Sequence, residues 1–156
     1  MIKPLKSDKG LTLIEILAAI VILSIILLSF LSFFRLSAKS NQTSEKIIDA
    51  SYVAQSLMEN MLSLSGTPLS KTELDDAAVT TLNNTENTNS NIISNSPLKI
   101  EGVSNEFYFE LSIKEEEEVD NLFKLLVKIY DNKVNKDLEA QMETKFWLKG
   151  NIEDEE

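Results

Sequence analysis

Residues 16–34 form a run of nineteen that carries no charge, no proline and no glycine. Such a run needs shelter from water on every side. At about 1.5 Å per residue, residues 11–34 are long enough as a helix to cross a hydrocarbon layer of about 30 Å. A single carboxylate, Glu15, stands at the head of this run. An ionised acid at membrane depth is costly, so it reads as functional and requires a cationic partner. The nearest source is an α-amino group, which a cut after Gly10 would create at Leu11, four residues before Glu15.

The segment Lys9-Gly10-Leu11-Thr12-Leu13-Ile14-Glu15, with its short basic leader and long apolar helix, resembles the N-terminus of type IV pilins and of the pseudopilins of type II secretion and competence machines. The resemblance is close over about the first thirty-five residues, and beyond them it extends only to the general plan. It implies a leader of residues 1–10, removed after Gly10 by a prepilin peptidase, and N-methylation of Leu11. It also implies a role for Glu15 in subunit assembly, by pairing with the N-terminus of a neighbouring subunit. The chain departs from the family at Leu11, where Phe is the commoner residue; side-chain size changes while the cleavage logic does not.

Composition narrows the remaining classes. The 156 residues hold 15 Lys and Arg against 25 Asp and Glu, a net charge of −10. Removing residues 1–10 takes away three lysines and one aspartate and leaves −12. An acidic head argues against direct nucleic-acid binding by general electrostatics, and no basic patch is evident from the sequence. Cysteine and histidine are both absent, which removes disulfides, the commonest general base and a common metal ligand. No nucleophile elbow, phosphate loop or zinc spacing occurs. The expectation is a protein that is not an enzyme and uses no cofactor or metal.

Lys3, Lys6 and Lys9 precede the apolar run, and the positive-inside tendency then keeps the N-terminus cytoplasmic and the head outside the bacterial membrane. An ordinary signal peptide is disfavoured, because nineteen residues exceed the usual core of about 7–15 and no small-x-small cleavage site follows. The alternative from another class is an uncleaved, single-pass anchor carrying an extracellular binding or sensor module. Such an anchor has no use for Glu15. Ser24, Ser29 and Ser32 can bond back to the preceding turn, and Ala18 and Ala19 offer a thin place for another helix.

The helix has no breaker before Gly66, so it is expected to continue as an amphipathic segment over residues 36–66. Ile47, Ala50, Ala54, Leu57, Met58, Met61 and Leu62 recur in steps of three and four, the stripe of a helix lying on a core. Ser, Asn and Gln at 37–44 leave room for a loosened turn, and Gly66 followed by Pro68 is the expected stop, with Gly66 suited to a left-handed position. Residues 67–97 are rich in Thr, Ser and Asn and read as a long surface connection with one short helical turn at 71–82.

Alternating patterns then predict strands at 98–103, 107–113, 122–129 and 142–149, forming an antiparallel sheet head over 98–149. Clustered carboxylates at Glu115 to Glu118 invite a calcium reading. Consecutive side chains point in different directions, so a charged hairpin turn is the expectation. Residues 150–156 read as an acidic tail.

The fold class expected is α+β: a long N-terminal helix, membrane-spanning over 11–35 and amphipathic beyond, packed on a small antiparallel sheet, as in pilins. The function expected is a structural subunit, minor pilin or pseudopilin, of a type IV pilus-like filament serving DNA uptake, protein secretion, or adhesion and motility. Its partners would be a prepilin peptidase, other pilin or pseudopilin subunits, and membrane lipid before assembly.

Overall fold

The computed structural model describes residues 12–149. The leader, Gly10, Leu11 and the acidic tail lie outside the described residues. The chain divides into two units, one ending at Thr43 and one beginning at Ser44, and helix α1 (Leu13–Leu62) contributes to both.

In the first unit, every large apolar side chain from Leu13 to Leu36 is exposed. Ser24, Ser29 and Ser32 donate to the carbonyls of Ile20, Ile25 and Leu28 at 2.7, 3.0 and 3.1 Å, so their hydroxyls are satisfied within the helix. The polar segment at 37–44 remains helical, and the expected loosened turn is absent. Thr43 spends its hydroxyl on the Lys39 carbonyl at 3.1 Å.

The second unit is built on the remainder of α1. Ala50, Val53, Ala54, Leu57, Met58 and Met61 are buried, while Ile47 stays 43 % exposed, so the apolar seam starts one turn later than its spacing predicts. The expected left-handed glycine stop is not what ends the helix. Residues Ser63–Gly66 tighten into a 3₁₀ turn, Gly66 has no positive φ, and the Thr67 amide and hydroxyl both donate to the Leu64 carbonyl, at 3.2 and 2.8 Å. Shorter-range bonding satisfies the terminal carbonyls without a left-handed residue.

Within the expected surface connection at 67–97, the helical turn expected at 71–82 stands as a full helix, and a strand that the composition did not suggest follows it. Helix α2 (Lys71–Asn83) starts at a capping box between Ser70 and Glu73 and buries Leu74, Ala78 and Leu82, one residue per turn. Strand β1 (Thr88–Asn95) follows, although its sequence is nearly all Asn, Ser and Thr. Its backbone is satisfied by pairing with β2, and Asn83 of α2 accepts from both the Ser90 amide (2.8 Å) and hydroxyl (2.9 Å). Low apolar content did not preclude order, because neighbours supply the hydrogen bonds.

Strands β2 (Leu98–Ser104), β3 (Phe107–Glu115), β4 (Leu122–Tyr130) and β5 (Leu138–Trp147) complete a five-stranded antiparallel meander in the order β1-β2-β3-β4-β5. The last strand starts four residues earlier than its alternation suggests. Asn105 and Glu106, with φ of 47° and 74°, make the two-residue β2–β3 hairpin turn whose twist suits adjacent strands. One face of the sheet carries Leu98, Ile100, Phe109, Leu111, Leu125, Val127 and Ile129 into a core shared with α1 and α2. Gly102 leaves room for the Phe109 ring. A Cβ there would stand 2.2 Å from the Asn89 carbonyl oxygen and 2.7 Å from that ring.

The β4–β5 loop folds onto the opposite face. Lys46 of α1 holds both its ends, reaching Asp131 at 2.6 Å and Glu139 at 3.2 Å. Lys133 pairs with Glu101 at 2.7 Å, Lys136 pairs with Glu110, and the Tyr108 hydroxyl donates to Glu101. Lys133 holds the Glu101 carboxyl below its usual range, with the Tyr108 hydroxyl adding to the effect, and Lys46 does the same for Asp131.

Gly102→Ala is expected to destabilise the head by about 1–3 kcal/mol through overpacking, and Leu57→Ala by about 2–5 kcal/mol through a cavity, both read by denaturant unfolding of the detergent-solubilised chain. Depressed carboxylates contribute stability above their ordinary pKa of about 4 that is lost as pH falls through the lower folded value. The thermal midpoint should therefore drop on acidification below about pH 4, and drop less in a Glu101→Gln, Asp131→Asn double variant. An equally steep drop in that variant would assign the acid sensitivity to other groups.

Candidate assembly site

Thr12 and Glu15 open α1 as a reciprocal pair. The Thr12 amide and hydroxyl both donate to Glu15 Oε2, at 2.7 and 2.9 Å, and the Glu15 amide approaches the Thr12 hydroxyl at 3.4 Å. The Glu15 and Ile16 amides also reach the Thr12 carbonyl, at 3.1 and 3.3 Å. This is a capping box: two groups left orphaned at a helix start are satisfied by side chains three residues apart. Reading Glu15 for its charge alone overlooked this second task. The signal was nonetheless present in the sequence as Thr-x-x-Glu directly before an apolar run.

The arrangement fixes where the carboxylate stands. Glu15 is tied to the first turn of a helix whose large apolar side chains are all exposed through Leu36. Among the described residues it makes no ion pair. Any cation that pairs with it would come from outside this set, from the chain's own start or from another molecule. Gly10 and Leu11, the expected cleavage and methylation residues, lie outside the described residues, so their placement beside Glu15 is not part of this geometry.

Two of the four consecutive glutamates at 115–118 reach lysines. Glu116 reaches Lys145 at 3.1 Å and Glu117 reaches Lys114 at 3.4 Å, while the Lys124–Glu143 pair at 2.8 Å lies alongside. These carboxylates answer lysines of the sheet.

Residues 5–31 match the family described as the prokaryotic N-terminal methylation motif. No curated protein and no solved structure matches the chain. The matched motif is followed by a long helix and an α+β head, the general plan of type IV pilin-like chains. The motif is that of a prepilin peptidase substrate, and α1 contains a segment long and apolar enough to cross a membrane, as in a single-pass anchored protein.

The two tasks of Glu15 are separable, because Gln completes a capping box without a charge. Thr12→Ala should raise amide exchange in the first turn of α1 by about fivefold in micelles, the size of a lost cap. Glu15→Gln should leave that exchange close to the parent's. Acceleration by Glu15→Gln with none by Thr12→Ala would show that charge, rather than hydrogen bonding, holds the first turn.

Proposed function

We propose that the chain is a structural subunit, a minor pilin or pseudopilin, of a type IV pilus-like filament. The precursor sits in the bacterial membrane with residues 1–10 in the cytoplasm and the head outside. Prepilin peptidase cuts after Gly10, Leu11 is N-methylated, and the subunit leaves the membrane for a helical filament. One observation carries this reading: a capped carboxylate with no ion pair among the described residues, standing at the head of an exposed apolar helical segment that bears the methylation motif.

The chemistry supplies a direction for assembly. In lipid, the Glu15 charge is poorly solvated; beside the α-amino group of an adjacent subunit, it is compensated. The pair favours one axial register over its neighbours. Ser24, Ser29 and Ser32, bonded within their own helix, leave side-to-side packing to apolar contact.

The role is structural rather than catalytic, consistent with a chain that has neither histidine nor cysteine. The filament would serve DNA uptake, protein secretion, or adhesion and motility. The acidic head favours the roles that do not require this subunit to grip DNA. Preference for a minor subunit follows the family resemblance, through the irregular head and the acidic tail.

Glu15→Ala and Glu15→Gln are both expected to be processed at the leader yet to fall at least about tenfold in the filament fraction sheared from cells. Normal incorporation of Glu15→Gln together with loss of Glu15→Ala would reduce the residue to a helix cap. Normal incorporation of both would remove charge pairing from assembly altogether.

A further inference from the structure

The chain is acidic, yet its sheet gathers cations on one face. Turned away from the core are Lys99 of β2, Lys114 of β3, Lys124 and Lys128 of β4, and Lys145 of β5. The register sets Lys114 opposite Lys124, and Lys124 opposite Lys145, in one row. Like charges directly across a ladder repel. Glu116, Glu117 and Glu143 offset that row, leaving Lys99 and Lys128 without an ion pair among the described residues. These two lysines line a hollow of about 360 Å³ with Ile93, Ser112, Leu126 and Glu110, and Ile93 is 56 % exposed.

A complementary surface lies on the other side of the sheet. Helix α2 joins the core through Leu74, Ala78 and Leu82, and presents Asp76 to solvent with Asp75 half-buried beside it. Neither has an ion pair among the described residues. Burial and the neighbouring Asp76 charge push the Asp75 carboxyl up, the mark of a negative site lacking a counterion.

We propose that the outer sheet face of one copy docks on α2 of a second copy, with Lys99 and Lys128 taking Asp75 and Asp76 while Ile93 and Leu126 are covered. The inference rests on the filament reading above and supplies a contact between heads. The two surfaces lie on opposite sides of the sheet, so one two-fold contact cannot join both pairs. The contact is heterologous and repeats head to tail, as an open helical assembly requires. Removing paired charges from water at a partly apolar hollow also sets register, because displaced copies would leave Asp75 and Asp76 unpaired.

The full chain contains no cysteine, so introduced thiols report the contact without background. An Asp76→Cys, Lys128→Cys double variant, expressed in cells with a prepilin peptidase and oxidised in place, should give a ladder of dimers, trimers and higher species. Each single variant alone should remain monomeric, and the two single variants co-expressed should stop at dimers. Adding Lys99→Glu to the double variant should reduce the ladder about tenfold, and further adding Asp75→Lys should restore it; restoration shows that the loss was not misfolding. No ladder, dimers from a single variant alone, or adducts only to a chain of different mass would overturn the contact. The sheared filament fraction is scored in the same cells. Filaments without a ladder overturn the contact and leave the filament reading standing, whereas a ladder without filaments keeps the contact and overturns that reading.

Discussion

The physical constraint on which everything else depends is the apolar surface of the first part of α1. All large apolar side chains from Leu13 to Leu36 are exposed. Hiding each from water is worth about 1.5–3 kcal/mol, so leaving the set in water would cost on the order of tens of kcal/mol, more than the net stability of a typical domain. Lipid or a bundle of like helices must cover it. On the proposed function the helix passes from the first of these environments to the second, which calls for a device that favours one over the other. Glu15, held by Thr12 at the head of this surface, is a charge that lipid tolerates poorly and that a neighbour's amino group can neutralise.

The head solves a different problem. It must bury one stripe of a helix whose preceding turns are committed elsewhere, using a sheet small enough to leave most surface free for neighbours. Small and flexible side chains at Ala50, Ala54, Met58 and Met61 join the core shared with the sheet, and Gly102 opens the space that Phe109 fills. On the far face, Lys133 and Lys136 tether the β4–β5 loop over Tyr108 and Tyr130, with Lys136 5.4 Å from the Tyr108 ring, while Lys46 of α1 reaches Asp131 at the start of that loop. Isolated exposed pairs contribute little to stability, whereas their convergence on one loop limits the shapes the surface can take.

Much of this was legible in the residues. The long apolar run and the alternation in β2, β3 and β4 each carry their own period, and those elements stand where the period placed them; the seam on α1 does so from Ala50 onward, with Ile47 left exposed. What escaped depends on partners distant in sequence. Strand β1 is polar and is ordered by β2 and by Asn83 of α2, neither of which a local window contains. Helix α2 stands where a helical turn was expected at 71–82, and it runs longer than one turn from its capping box at Ser70-x-x-Glu73. Gly66 looked like a left-handed stop because glycine permits that conformation; permission is not requirement, and a 3₁₀ turn sufficed. The lysine face is assembled purely by register from Lys99, Lys114, Lys124, Lys128 and Lys145, which is why reading along the chain found no basic patch. At the site itself, the charge of Glu15 was legible and its capping bond to Thr12 was overlooked.

The most direct test is the intact mass and N-terminal sequence of the full chain expressed with and without a matching prepilin peptidase. The account predicts that the peptidase yields a product beginning at N-methylated Leu11, lighter by residues 1–10. A chain that retains Met1 to Gly10 in the presence of an active, matching peptidase would contradict it, and would make the apolar helix a permanent anchor.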